Sequence, residues 1–175
     1  MVIALYPGTF DPIHNGHVDI ATRSARMFDQ VVIGVYDSPA KSVLFDTATR
    51  IALVREAMGR VPNVNVMPYH GLTVTFAQEI GASVLVRGLR AISDFEFELQ
   101  MAHTNKKLAP DLEFVCLMTS LEYAYLSSSI LREVALLGGD ISTLAPAGVQ
   151  AALCTRFREL GPNARGSVPV VSSRD

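Results

Sequence analysis

The chain has 175 residues, 49% of them hydrophobic, with 15 Lys and Arg against 17 Asp and Glu and a net charge of −2. That length and apolar content suit one globular domain with a sizeable core and exclude a disordered chain. The slight acidity argues against nucleic acid as a partner, which would usually require a basic face.

The start of the chain lacks the basic flank and small-residue cleavage site of a signal peptide. The longest uncharged segment, Val61 to Gln78, contains Pro62, Asn63, Asn65, Pro68 and His70, which rule out a spanning helix. A cytoplasmic protein with no membrane partner is expected. Cys116 and Cys154 match no metal or redox spacing and sit among apolar residues, so two buried, reduced thiols are expected.

In chain order, Val2 to Leu5 reads as a buried strand, broken by Pro7 and Gly8. The stretch Gly8-Thr9-Phe10-Asp11-Pro12-Ile13-His14-Asn15-Gly16-His17 then leads into a helix through Phe28. His14 and His17, three apart, share one face of its start, and Gly16 removes a side chain between the two imidazoles. Val31 to Tyr36 is a second strand, and Asp46 is the N-cap of a helix from Thr47 to Met58. Val64 to Met67 is a short third strand, and Val74 to Glu79 a short helix ended by Gly81. Val84 to Val86 is the fourth strand, followed directly by Arg87-Gly88-Leu89-Arg90. Ser93-Asp94-Phe95-Glu96 has the form of a capping box, opening a helix to about Lys107. Leu112 to Leu117 is the fifth strand, Ser127 to Ser129 open a helix stopped at Gly138-Gly139, and Pro146 opens a last helix ending near Leu160. Residues 161–175 lack periodicity and read as a loose tail outside a 1–160 domain. Strands alternating with helices predict an α/β fold, a doubly wound five-stranded parallel sheet in a single domain.

The polar residues that need explaining follow strands. They are Thr9, His14 and His17, then Lys41, then Arg87 and Arg90, then Ser127 to Ser129 with Arg132. In a doubly wound sheet such positions converge on one crevice at the carboxyl edge. Basic groups gathered there in an acidic protein suit a multiply charged anion such as a nucleoside triphosphate. Taken singly, each has a plainer role, as a solvated charge or as an N-cap in the case of Ser127 to Ser129. The chain has no G-x-S-x-G elbow, no Walker phosphate loop, no G-x-G-x-x-G after the first strand and no H-E-x-x-H. What remains is catalysis by positioning and charge, as in phosphoryl and nucleotidyl transfer.

Gly8 to Pro12 with His14-Asn15-Gly16-His17 resembles the H-x-G-H signature of the nucleotidyltransferase superfamily, and Leu126-Ser127-Ser128-Ser129-Ile130-Leu131-Arg132 resembles its second signature. Three further segments, Ser38 to Lys41, Val86 to Arg90 and Ser93 to Ala102, are in order and spacing similar to bacterial phosphopantetheine adenylyltransferases. The resemblance covers roughly Val2 to Leu160. It implies a Rossmann-like fold and transfer of AMP from ATP to 4′-phosphopantetheine with Mg²⁺, by direct in-line attack. It also implies a homohexamer with coenzyme A as feedback inhibitor.

Carried over, His17 would stabilise charge on the α-phosphate, with His14 beside it and Thr9 near the reacting phosphate. Lys41 and Arg87 would hold the acceptor phosphate, and Leu72 and Thr73 would lie along the pantetheine arm. Phe10, Gly88, Leu89, Arg90 and Glu98 would contact ATP. So would Tyr123, Ala124, Tyr125, Leu126, Ser127, Ser128, Ser129 and Arg132. No carboxylate cluster marks a metal cage, so Mg²⁺ is expected on phosphates and water. Two other readings stay open: the same chemistry on nicotinamide mononucleotide or an alcohol phosphate, and a silent nucleotide- or coenzyme-A-binding regulator.

Overall fold

A computed structural model describes residues 1–37, 39 and 42–161. Five strands, β1 (Ile3–Gly8), β2 (Gln30–Tyr36), β3 (Val64–Tyr69), β4 (Val84–Leu89) and β5 (Glu113–Met118), form one sheet in the order β3-β2-β1-β4-β5. Every pairing is parallel. The helices between and after them are α1 (Asn15–Met27), α2 (Thr47–Met58), α3 (Thr73–Glu79), α4 (Ile92–Leu108), α5 (Ser128–Leu136) and α6 (Ala147–Leu160).

Both faces of the inner strands β1, β2 and β4 are covered, which is why they open with continuous apolar runs. Alternation of side chains along β1 sends Ala4 and Tyr6 to one core and Leu5 to the other. The larger core packs those residues with Ile20 of α1, Val54 of α2, Leu131 of α5 and Leu153 of α6. The smaller one packs Leu5, Val32 and Leu85 against Val74, Phe76 and Ala77 of α3.

The doubly wound parallel sheet is as expected, and four local expectations are corrected. First, Pro7 and Gly8 do not end β1, which pairs with β2 as far as Gly8↔Val35. Proline is tolerated because β1 meets β4 only at Ala4 and Leu5, so no ladder bond on that side needs the missing N–H. Second, β4 runs on through Arg87, Gly88 and Leu89, paired with β5 as far as Leu89↔Met118. Third, α4 begins two residues early, with Ala91 rather than Ser93 as N-cap. The Asp94 carboxylate, three residues inside, accepts the Arg90 backbone N–H at 3.0 Å, so it closes the helix start without a Ser cap. Fourth, Cys116 and Cys154 are exposed. Cys116 stands on the edge strand β5 and Cys154 on the outer side of α6, so the apolar neighbours that suggested burial face the other way.

Gly81 and Gly138 sit just past α3 and α5 with φ of +68° and +77°, the left-handed region glycine enters without cost. Asp46 caps α2 by accepting the Thr49 N–H at 2.7 Å, and Ser127 caps α5 by accepting that of Ile130 at 3.1 Å. No described helix is long and apolar enough to cross a membrane. The expected tail from 162 onward lies outside the described residues.

Candidate active site

The sheet order changes direction between β1 and β4, and the two strands part after Leu5 and Leu85. A crevice of about 910 Å³ opens at this switch point. Arg87 spans the gap, its Nη1 donating to the Pro7 carbonyl at 2.8 Å.

The loop from β1 to α1 forms one wall. His14 is the N-cap of α1, buried, with its ring stacked on that of His17 at 3.7 Å between centroids. The His14 backbone N–H donates to His17 Nδ1 at 3.3 Å. An accepting Nδ1 leaves the ring proton of neutral His17 on Nε2, so the ring can donate from that edge. The Phe10 ring meets His17 edge-on at 5.0 Å and Tyr6 at 5.5 Å. Phe10 holds a φ of 49°, a strained value for a bulky residue, and its ring fills the space that a Gly8 side chain would need, 2.9 Å from that Cβ position.

Gly16 is not the gap between imidazoles expected from sequence. The histidines stack directly, and a Cβ at Gly16 would lie 3.1 Å from the His14 ring and 3.3 Å from the Tyr123 Cβ. A side chain here would make the His14 ring or Tyr123 give by a few tenths of an ångström.

Burial, reinforced by the Arg90 charge, pushes the His14 imidazole down to about 3. The unfolded chain binds this proton near 6.5 and the folded chain only near 3. Between these values the unfolded state holds more protons, so stability falls as pH falls. His14 alone should contribute a slope of about 1.4 kcal/mol per pH unit below the unfolded value. Denaturant unfolding of His14→Gln at pH 6 and pH 5 should show a shallower loss than the parent chain. Equal slopes would remove His14 as the cause.

The opposite wall is cationic but internally paired. Arg87 Nε and Nη2 reach the Glu98 carboxylate on α4 at 2.7–2.9 Å. Burial works against its charge, yet these bonds raise its proton affinity above the ordinary value. Arg90 binds Asp94 through Nε at 3.0 Å and the Leu126 carbonyl through Nη1 at 3.0 Å. Burial would lift the Asp94 carboxyl, and the Arg90 hydrogen bonds outweigh it and hold it below the usual carboxylate range. The first turn of α5 faces the crevice with Ser127, Ser128 and Ser129, and Ser128 Oγ donates to the Pro12 carbonyl at 2.9 Å. Amide N–H groups and the helix dipole favour an anion at this end. Arg132, one turn on, pairs with Asp11 at 3.0 Å.

Thr9, Phe10, His14, His17, Arg87, Gly88, Arg90, Glu98, the three serines and Arg132 all line this one crevice. Leu72 and Thr73 line it from the start of α3, where Thr73 Oγ1 and the Tyr69 hydroxyl are 3.1 Å apart. Others stand back from it. Leu89 and Leu126 are buried in the packing, Tyr125 is exposed, and Tyr123 and Ala124 belong to a short 3-10 turn and its cap. Lys41 lies outside the described residues.

Two residues were not singled out from sequence. Asp11 and Arg50 are both buried, yet each stands in a stretch whose other residues explained it, a signature turn and a charged helix. Arg50 donates to the carbonyls of Phe45 at 3.1 Å, Thr9 at 2.7 Å and Tyr36 at 2.7 Å, and to Thr47 Oγ1 at 2.8 Å. Spacing carries little signal for such a residue, because two of its partners, the Thr9 and Tyr36 carbonyls, are backbone atoms from distant segments.

Residues 5–134 match the cytidylyltransferase-like family. A phosphopantetheine adenylyltransferase of Herpetosiphon aurantiacus is 53% identical over 153 residues, 87% of this chain and 93% of that one. This chain belongs to the phosphopantetheine adenylyltransferase family. The phosphopantetheine adenylyltransferase of Methylococcus capsulatus is 50% identical over 160 residues, 91% of this chain and 99% of its own length. A solved structure from Vibrio parahaemolyticus, provisionally assigned as a nicotinate-nucleotide adenylyltransferase, superposes with a TM-score of 0.65 at 22% identity, covering 88% of this chain and 99% of that one, a likeness of fold. As a member of the phosphopantetheine adenylyltransferase family the chain is an adenylyltransferase.

Proposed function

We propose that the crevice transfers AMP from ATP to 4′-phosphopantetheine, giving dephospho-coenzyme A and pyrophosphate, by direct in-line attack. The observation that carries this reading is the meeting, at the β1–β4 switch point, of His17, the β4 arginines and the N-terminus of α5. An acceptor phosphate oxygen attacks the α-phosphorus, and the bond from that phosphorus to the oxygen bridging to the β-phosphate breaks. The proton on His17 Nε2 meets charge developing on the α-phosphate, with Thr9 beside it. Arg90, the serines of α5 and Arg132 take the triphosphate. Arg87 and Lys41 take the acceptor phosphate, and Leu72 and Thr73 take its arm. Holding both reactants in line supplies roughly 7–11 kcal/mol of the barrier.

Mg²⁺ would neutralise phosphate charge. The crevice carboxylates Asp11, Asp94 and Glu98 are each paired with an arginine, so the ion fits best on phosphates and water rather than in a protein cage. Coenzyme A carries both an adenosine part and a pantetheine arm, which suits it to fill the crevice as a feedback inhibitor. A homohexamer is supported by α4, whose Phe95 and Phe97 are 50% and 58% exposed on one subunit. We place the enzyme in the cytoplasm.

Incubation with ATP, Mg²⁺ and 4′-phosphopantetheine should give dephospho-coenzyme A by mass spectrometry with no AMP on the protein. An adenylylated chain that passes its AMP to the acceptor would overturn the in-line route. Glu98→Ala should raise the acceptor KM about tenfold, about 1.4 kcal/mol, because Arg87 loses the carboxylate that orients its guanidinium. An unchanged acceptor KM would mean that Arg87 is held by Pro7 alone.

A further inference from the structure

We infer that Asp11 is a positioning residue whose carboxylate fixes the Arg132 guanidinium towards the triphosphate side of the crevice. This rests on the reading above that Arg132 faces the triphosphate. Asp11 and Arg132 are only 2% and 7% exposed. Asp11 Oδ1 accepts the Phe45 N–H at 2.9 Å, and Oδ2 accepts the Leu44 N–H at 2.7 Å and Arg132 Nη1 at 3.0 Å. Arg132 Nη1 also donates to the Asp11 backbone carbonyl.

An ion pair this buried is weak support for stability, since well-packed apolar residues of similar size would do as well. Its geometry explains it better. With Nη1 bound by Asp11, the other edge of the guanidinium is turned to Ser129 Oγ, 3.4 Å from Nη2, on the first turn of α5. That is where the dipole and free amides of α5 favour an anion. The same carboxylate fixes the amides of Leu44 and Phe45, just before α2. Asp11 therefore ties the signature turn, the segment before α2 and the helix α5 through one group.

The test uses the full chain and Mg–ATP in calorimetry, with initial rates for both substrates. Asp11→Asn puts an amide N–H against a backbone N–H or against Arg132, and should raise the ATP Kd by at least about tenfold. In combination with Arg132→Lys, the ATP affinity should be no lower than in the worse single variant, because both act through one contact. Asp46→Ala, which removes the α2 cap, is the stability control, lowering the unfolding temperature with kinetics unchanged. Folded Asp11→Asn with ATP affinity within about twofold of the parent, or additive losses in the double variant, would overturn the assignment. If Asp11→Asn does not fold, Asp11→Glu is read in the same way. Failure of both to fold assigns the pair to stability alone and also overturns it. A parent chain that binds ATP but forms no dephospho-coenzyme A would refute the proposed function while leaving the ATP arm of this test intact.

Discussion

Replacing His17 by alanine is expected to lower kcat about 10²–10³-fold while ATP affinity stays within about threefold. His17 is held on three sides: its Nδ1 accepts the His14 N–H, one face stacks on the His14 ring, and the Phe10 ring meets it edge-on. None of these contacts holds substrate. They fix the ring's tautomer and orientation before substrate arrives, which makes a donor effective at charge that develops only in the transition state. On the proposed reading, donors on α5 and β4 also hold the ground-state triphosphate, so its binding should survive. Initial rates and calorimetry on the same preparation decide the matter. A loss of ATP affinity equal to the loss of rate would make His17 a ground-state binding residue.

Arg50→Met should cost about 3–5 kcal/mol of stability, a fall of roughly 10 °C or more in unfolding temperature. Arg50 is completely buried and engages three backbone carbonyls and one hydroxyl, with no carboxylate in salt-bridge contact among the described residues. Burial lowers the proton affinity of its guanidinium, and the charges of Asp11, Asp37 and Asp46 partly restore it. Methionine fills much of the volume but leaves the carbonyls of Thr9, Tyr36 and Phe45 unpaired inside the protein. Two of these carbonyls, on Thr9 and Tyr36, lie at the crevice ends of β1 and β2, so turnover should fall as well. Thermal unfolding by circular dichroism measures the main effect. A shift below about 2 °C would mean that water enters and satisfies the carbonyls.

The fold was legible because the inner strands β1, β2 and β4, covered on both faces, open with continuous apolar runs. The breaks between them, Gly81 and Gly138 among them, are residues with a stated conformational reason. The crevice was legible for a related reason: polar residues after parallel strands have only one edge to occupy. Strand ends were less so. Pro7 reads as a breaker until it is known that β4 has already left that side of β1. The pairing of the arginines was hidden altogether. Arg87, Arg90 and Arg132 read as four-handed phosphate ligands with Lys41, yet each is bound to a carboxylate, and for Arg132 that partner, Asp11, is 121 positions away. Cys116 shows the limit of composition: on an edge strand, apolar neighbours do not imply burial.

The central claim is the acceptor. Pyrophosphate release by the purified protein with ATP and Mg²⁺ should be compared for 4′-phosphopantetheine and nicotinamide mononucleotide. Release with 4′-phosphopantetheine alone is the expected result. Release with nicotinamide mononucleotide and none with 4′-phosphopantetheine would contradict it, moving the acceptor site away from Arg87 and Thr73 while leaving His17 in place.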